Sequence, residues 1–401
     1  MTLILSLAVI LVAFYLAIKN PANFFLIILF DSLIINRFYN NFFGIPFSFI
    51  LLVIAAFTYL FNNYSFKTNI NSFFIHVFVI SIYFFLSHSY YFENYDLNIM
   101  NNFLLMILLY SSINSNQIEK IWVKMCKLAV LIGGFLSLDI FLPFVSLANE
   151  RQVGFFIILS IVFLLAGKKV SNSKLFSNYM LIILSFTVLV SLGRLNVAIL
   201  LIILPTYYLI FNRLNAKTIL SRSLLLAIFP MIILSFGNNI ATFFQFTDFS
   251  YSSSFYDESF RIFTQGRNVI YDALISQFND NPIFGLGFNS FTDLENTYNP
   301  TFNNRSRTQV ISSHSIPLQY LAETGIVGFF LYYSLLIRTM LCGNQLIKNK
   351  NKFVKSYGTA LFFISLAMII GSSLDNHGFN YKHIFILISL LPYFLMLSKN
   401  K

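Results

Sequence analysis

Ser313-His314-Ser315-Ile316-Pro317-Leu318-Gln319-Tyr320-Leu321-Ala322-Glu323-Thr324-Gly325-Ile326-Val327-Gly328 is where the long polar interruption of this chain, residues 239 to 317, runs back into apolar sequence. Elsewhere, uncharged segments of 16 to 20 residues follow one another, the length at which a helix covers about 30 Å of hydrocarbon. Hydrophobic residues make up 57% of the 401 and charged residues only 10%. A soluble core of this size would not leave its surface without charges, and a β-barrel would alternate in segments of about ten residues. The pattern predicts an all-α, polytopic membrane protein, a single integral domain over 1–401. One large loop, 239–317, is inserted between its transmembrane helices.

Apolar spans fall near 2–18, 21–36, 45–61, 70–88, 98–113, 124–147, 152–167, 176–193, 195–211, 223–238, 318–342, 355–374 and 384–398, which gives 12 or 13 helices. The first pair is split only by Lys19-Asn20-Pro21, and each member is short for a crossing. Met1 to Ile18 lacks the basic leader of a cleaved signal peptide and is expected to stay as a membrane segment.

Orientation follows from the basic residues, which short loops retain on the cytoplasmic side. One alternating set of connections holds Lys19, Lys67, Lys120, Lys124, Lys127, Lys168, Lys169, Lys174, Arg213, Lys217, Arg222, Arg338, Lys348, Lys350, Lys352, Lys355, Lys399 and Lys401, 18 of the 26. The other set holds Arg37, Arg151, Arg194, Arg261, Arg267, Arg305, Arg307 and Lys382, so the large loop is expected outside or in the periplasm. The net charge of +11 is thereby a topology signal rather than a nucleic-acid footprint.

The inner set is 15 Lys in 18, whereas the outer set is seven Arg in eight. Lysine suffices for topology, but the guanidinium fork grips phosphate or carboxylate at two points and stays charged when partly buried. The outer face therefore reads as an anion site, with Arg261, Arg305 and Arg307 among the candidates. For Arg305 and Arg307, pairing with the loop acids Asp248, Asp257, Glu258, Asp272, Asp280, Asp293 and Glu295 is an equal alternative. Cys126 and Cys342 fall near the inner ends of helices, where a disulfide is not expected. Five scattered histidines offer no ligand spacing for a metal, and none is expected.

Three constellations carry possible chemistry. Ser191-Leu192-Gly193-Arg194 ends one span directly before another; its arginine either snorkels to headgroups or holds an anion among apolar helices. From Gly266-Arg267-Asn268 to Phe278, apolar positions 269, 270, 273, 274 and 278 predict an amphipathic helix stopped by Asp280-Asn281-Pro282. Arg267 lies in its first turn, where free N–H groups and the helix dipole attract anions; the alternative is a helix resting on the membrane with Arg267 solvated. Ile283-Phe284-Gly285-Leu286-Gly287-Phe288 reads as a turn with two glycines. Finally, His314 precedes a helix whose early turns carry Gln319 and Glu323 on one face. A histidine there can take a proton from a hydroxyl at neutral pH, and it reads also as a cap or surface residue. Asp375, Asn376 and His377 occupy the same side in this topology.

Taken together, the helix-end arginine, the Gly-Arg-led loop helix ending in Pro then Gly-x-Gly, and the histidine followed by Leu-Gln-Tyr-Leu-Ala-Glu-Thr-Gly-Ile-Val-Gly resemble the O-antigen ligase and O-antigen polymerase superfamily. The resemblance covers mainly residues 185 to 375. It implies a helical fold similar to the C-type glycosyltransferases, in a bacterial inner membrane with the site facing the periplasm. It also implies metal-independent, inverting glycosyl transfer without a cofactor. Arg194 and Arg267 would bind the undecaprenyl pyrophosphate of the donor, and His314 would deprotonate the acceptor hydroxyl. Tyr271, Gln319 and Glu323, with the outer arginines, would line the substrate site. Two positions depart from the family pattern: Ser315 stands where Asn is frequent after the histidine, and Tyr271 where Trp is common.

The implied partners are the carrier-linked oligosaccharide donor and, for a polymerase, a carrier-linked repeat unit as acceptor plus a chain-length regulator in the membrane. For a ligase the acceptor is the lipid A core. The Phe-, Ile-, Asn- and Lys-rich composition suggests an AT-rich gene of the variable polysaccharide clusters, which favours the polymerase. A lipid-linked-oligosaccharide flippase or transporter is a weaker alternative, because no internal repeat is evident and Asp31 and Asp139 are the only acids expected deep in spans.

Overall fold

The computed structural model describes residues 71–93, 103–104, 106–108, 110–111, 117–141, 150–190, 194–212, 267–293, 295–298, 313, 315–374 and 382–399. It also describes the two-residue strands Asn41–Phe42 and Ile45–Pro46, which pair antiparallel. The spans expected near 2–18, 21–36 and 223–238, and that near 45–61 beyond its first two residues, lie outside the described residues.

The rest is nearly all helix: α1 (Ser72–Phe92), α2 (Ile118–Phe141), α3 (Glu150–Gly167), α4 (Asn178–Val190), α5 (Arg194–Asn212), α6 (Arg267–Asp280), α7 (Ile316–Ile347), α8 (Lys352–Leu374) and α9 (Lys382–Lys399). Among the described residues, Ser72–Phe92, Ile118–Leu138, Ile316–Ile347 and Lys352–Ser372 are long and apolar enough to cross a membrane. Shorter apolar helices run over Val153–Gly167, Asn178–Val190, Leu195–Phe211 and Ile384–Lys399. This is the architecture of a polytopic membrane protein.

Boundaries differ from the expectation at α1, which runs on to Phe92, and more so at α2 and α7. α2 begins at Ile118 rather than 124, because Glu119, Lys120 and Lys124 extend the first turns while Ile118, Ile121 and Trp122 are buried. The expected span 318–342 belongs to the longer α7, whose path is broken at Gly325.

The helices are apolar on their exposed faces as well as their buried ones. In α1 the inward stripe is Phe73, Phe74, Val77, Ile80, Ser81, Phe84 and His88, while Ile75 and Leu86 on other faces remain 55% and 59% exposed. Ile182, Phe330 and Leu341 are likewise exposed. An outward face of this chemistry is stable against lipid and costly against water. Asn71 starts α1 by accepting the N–H of Phe73 on its side chain, at 3.2 Å.

Among the described helices α7 and α8 pack most extensively, through a glycine contact. A Cβ on Gly343 would lie 2.6 Å from the backbone N of Phe362, and one on Gly358 would lie 2.8 Å from the backbone N of Ile347. In lipid, such close approach supplies the packing that hydrophobic burial supplies in water. Thr339 and Ser365 hydroxyls hydrogen-bond across the same pair at 2.8 Å.

Trp122, the single tryptophan, joins α2, α3, α8 and α9. Its indole N–H donates to Ser356 Oγ at 2.8 Å, and Ser356 in turn donates to the Ala166 carbonyl at 2.8 Å. Phe163, Tyr357 and Phe394 surround the ring, and the last two stack at 4.1 Å.

This hub lies toward the basic end of the bundle. Lys169 Nζ sits 3.2 Å from the centroid of the Phe211 ring, and Lys355 approaches the same ring at 5.4 Å. Burial, together with the Lys355 charge, pushes the Lys169 ammonium down to about 8. Arg338 donates to Ser72 Oγ at 2.6 Å, and Asn349 donates to the Ser398 carbonyl at 3.4 Å. The Lys-bearing connections around 168–169, 348–355 and 399 thus meet at one end, opposite the junction described below.

Replacing Trp122 by Ala is expected to destabilise the bundle by about 3–5 kcal/mol, and Trp122→Phe, which removes the bond to Ser356, by about 1 kcal/mol. Gly358→Val should cost about 1–3 kcal/mol by forcing α7 and α8 apart. Thermal unfolding of the purified chain in detergent micelles gives the order, and a Gly358→Val protein as stable as the parent would refute the close-approach account.

Candidate functional site

Gly325 adopts φ 62 and ψ −171, which no continuing helix allows. In an unbroken helix the N–H groups of Ile326 and Val327 would bond to the carbonyls of Ala322 and Glu323. All four groups instead find partners in the segment after α6. Leu286 N–H donates to the Ala322 carbonyl at 3.2 Å and Gly287 N–H to the Glu323 carbonyl at 2.7 Å. Ile326 N–H donates to the Pro282 carbonyl at 2.9 Å and Val327 N–H to the Ile283 carbonyl at 3.3 Å.

The two segments approach so closely that both crossing points must be glycine. A Cβ on Gly285 (φ 72) would sit 2.3 Å from the Glu323 carbonyl oxygen, and one on Gly325 would sit 2.2 Å from that of Ile283.

α1 holds this junction from the side. Tyr83 OH donates to the Thr324 carbonyl at 2.7 Å, Ser87 Oγ accepts the Phe288 N–H at 3.1 Å, and His88 Nδ1 lies 3.1 Å from the Phe288 carbonyl. The Phe288 ring stacks on Phe84 at 4.5 Å. None of these α1 residues was singled out from sequence; the available signal was polar side chains at 83, 87 and 88 within an otherwise apolar span.

Below the junction Glu323 is fully buried. Its carboxylate accepts the backbone N–H of Asn289 at 3.0 Å on Oε2, and that of Phe291 at 3.2 Å on Oε1. Gln319, one turn earlier on the same face as the spacing predicts, donates its amide to Oε1 at 2.9 Å. Ser313 Oγ donates to Gln319 Oε1 at 2.5 Å, so a continuous hydrogen-bonded chain runs from the junction to the residue before His314.

α6 packs on the same platform. Ile270 and Leu274 are buried with Phe291 and Ala322, with Tyr271, Ala273 and Leu318 against them. Gln277, fully buried, donates to Ser290 Oγ at 3.0 Å and to the Ala322 carbonyl at 3.2 Å. Its carbonyl oxygen accepts from Asn296 at 3.3 Å, and the Tyr298 hydroxyl closes onto Asp280 at the helix end. The amphipathic helix read from sequence therefore uses its apolar stripe against α7 and the 290–291 turn.

Of the residues expected to form the site, Gln319, Glu323 and Tyr271 come together on this platform. Gln319 and Glu323 are 8% and 0% exposed, with their polar atoms engaged inside the protein. Arg267 opens α6 and Arg194 opens α5, while their side chains lie outside the described residues, as do His314, Arg261, Arg305, Arg307, Asp375, Asn376 and His377. The described part is a rigid base under the start of α7 and the body of α6. Chemically it offers a fixed register to the groups at the starts of those helices.

Glu323→Ala would strand three N–H donors at a fully buried position, so a loss on the order of 3 kcal/mol or more is expected. Glu323→Gln should fall between, since its amide keeps one acceptor oxygen but turns a donor toward a donor. Gly285→Ala and Gly325→Ala should each disrupt the junction and with it any activity, because the strain comes from backbone rather than a movable side chain. Unfolding in micelles together with limited proteolysis near residue 285 reads all four; a fully stable Gly325→Ala chain would contradict the geometry.

No curated protein matches the chain. The family model described as O-Antigen ligase matches residues 179–333, the interval that holds Arg194, Arg267, His314 and the whole junction between 282–287 and Gly325. In keeping with the resemblance drawn from its motifs, residues 179–333 are similar to the O-antigen ligase family.

Proposed function

We propose that this chain polymerises undecaprenyl-pyrophosphate-linked repeat units of O-antigen, or of a related surface polysaccharide, at the periplasmic face of the inner membrane. The observation that carries the reading is the coincidence of the family match over 179–333 with the three motifs at Arg194, Arg267 and His314. The orientation rests on the basic connections gathered at the opposite end of the bundle from the junction.

In this reaction the acceptor hydroxyl oxygen attacks the anomeric carbon of the donor. The bond from that carbon to the pyrophosphate oxygen breaks with its electron pair, and the configuration inverts. His314 takes the hydroxyl proton, and Arg194 and Arg267 neutralise the departing diphosphate. A prenyl diphosphate is already a good leaving group, so charge neutralisation and alignment carry most of the burden. The apolar outer faces of the helices give the lipid tail of the carrier a surface to follow.

Transfer of finished polymer to the lipid A core uses the same donor chemistry and is the second reading, to which the family description gives equal support. Lipopolysaccharide gels of a deletion strain separate the two. Loss of a polymerase leaves a single repeat on the core, whereas loss of a ligase leaves polymer on the carrier. Arg267→Ala and His314→Ala at wild-type protein level are expected to lower polymer output by about 100-fold or more; normal polymer amount and length in either would sink the assignment.

A further inference from the structure

We infer that Ser313, Gln319 and Glu323 act as positioning residues that fix the backbone before His314, and so its imidazole, relative to α6. The inference deepens the proposed function and rests on it. Three observations carry it. The three side chains form one buried hydrogen-bonded chain, Ser313 to Gln319 to Glu323, at 2.5 and 2.9 Å. Its far end is anchored by backbone N–H groups of Asn289 and Phe291, not by mobile side chains. Its near end is a residue that belongs to no helix, placed directly before the proposed base.

The 290–291 turn that anchors Glu323 is the same turn that holds α6, through Gln277 to Ser290 and through Phe291 beneath Ile270 and Leu274. The segment before α7 and the helix opened by Arg267 are therefore referenced to one rigid element. A displacement transfer needs that common reference, because base and diphosphate must lie on opposite sides of one anomeric carbon. Ser313 and Gln319 touch neither partner in this scheme; they act through the position of residue 314.

The test uses the full chain in proteoliposomes, with carrier-linked oligosaccharide extracted from the deletion strain as substrate. Ser313→Ala is expected to lower kcat about 10- to 100-fold with KM within about twofold and an unchanged Tm, and Ser313→Thr to restore it. Gln319→Leu should match Ser313→Ala, and the double variant should be no worse than either alone. Wild-type kcat in Ser313→Ala overturns the inference, as does a loss that tracks Tm or that Thr fails to restore. His314→Ala separates the layers: if it is inactive while Ser313→Ala is fully active, only the positioning role fails; if it is active, the proposed function itself fails.

Discussion

Four backbone groups freed at Gly325 inside a helix of membrane-crossing length constrain everything around them. Lipid would offer them no hydrogen bonds, so a break in such a helix persists only where other protein atoms supply every partner. Residues 282–287 do so in register, with two carbonyls and two N–H groups, as though two helices had exchanged a pair of rungs. That exchange fixes the loop to within a hydrogen bond's tolerance. Because α6 ends two residues before it, the helix opened by Arg267 is placed by the same contact. α1 then closes the open side through Tyr83, Ser87 and His88.

Hydropathy made the helices legible, since a span that must meet lipid on one side and protein on the other has no polar face to hide it. The loop helix was legible too, because its stripe at 270 and 274 repeats at helical spacing and Pro282 ends it. The Gln319 and Glu323 pair followed from a four-residue step. The break at Gly325 was not legible. Gly325, Gly328 and Gly343 look alike in an apolar run, yet Gly343 serves close packing against α8 while Gly325 leaves the helix. What distinguishes them is a partner segment some forty residues away, and local pattern contains no information about it. The roles of Ser87 and His88 depend on Phe288, about two hundred residues distant, for the same reason.

The start of α2 lies outside the apolar window for a different physical cause. Charged residues in the first turns of a helix at the water boundary cost little, so an apolar window underestimates how far the helix extends toward water. Glu119, Lys120 and Lys124 lie on such turns, beside a buried Ile118 and Trp122.

Glu323, buried within a span-length helix, bears on the alternative of a flippase or transporter. An ionisable group at membrane depth is by default a candidate for moving ions or protons. To do so its oxygens must exchange partners with a permeating ion or with water. Those of Glu323 are filled from three directions by N–H donors, two of them backbone, at a position with no exposed surface. Releasing them would undo the 289–291 turn and the seat of α6 with it. A carboxylate so committed is built to hold geometry still, which suits a transferase that aligns two bound substrates and runs against a carrier that must let go of its ligand at each cycle.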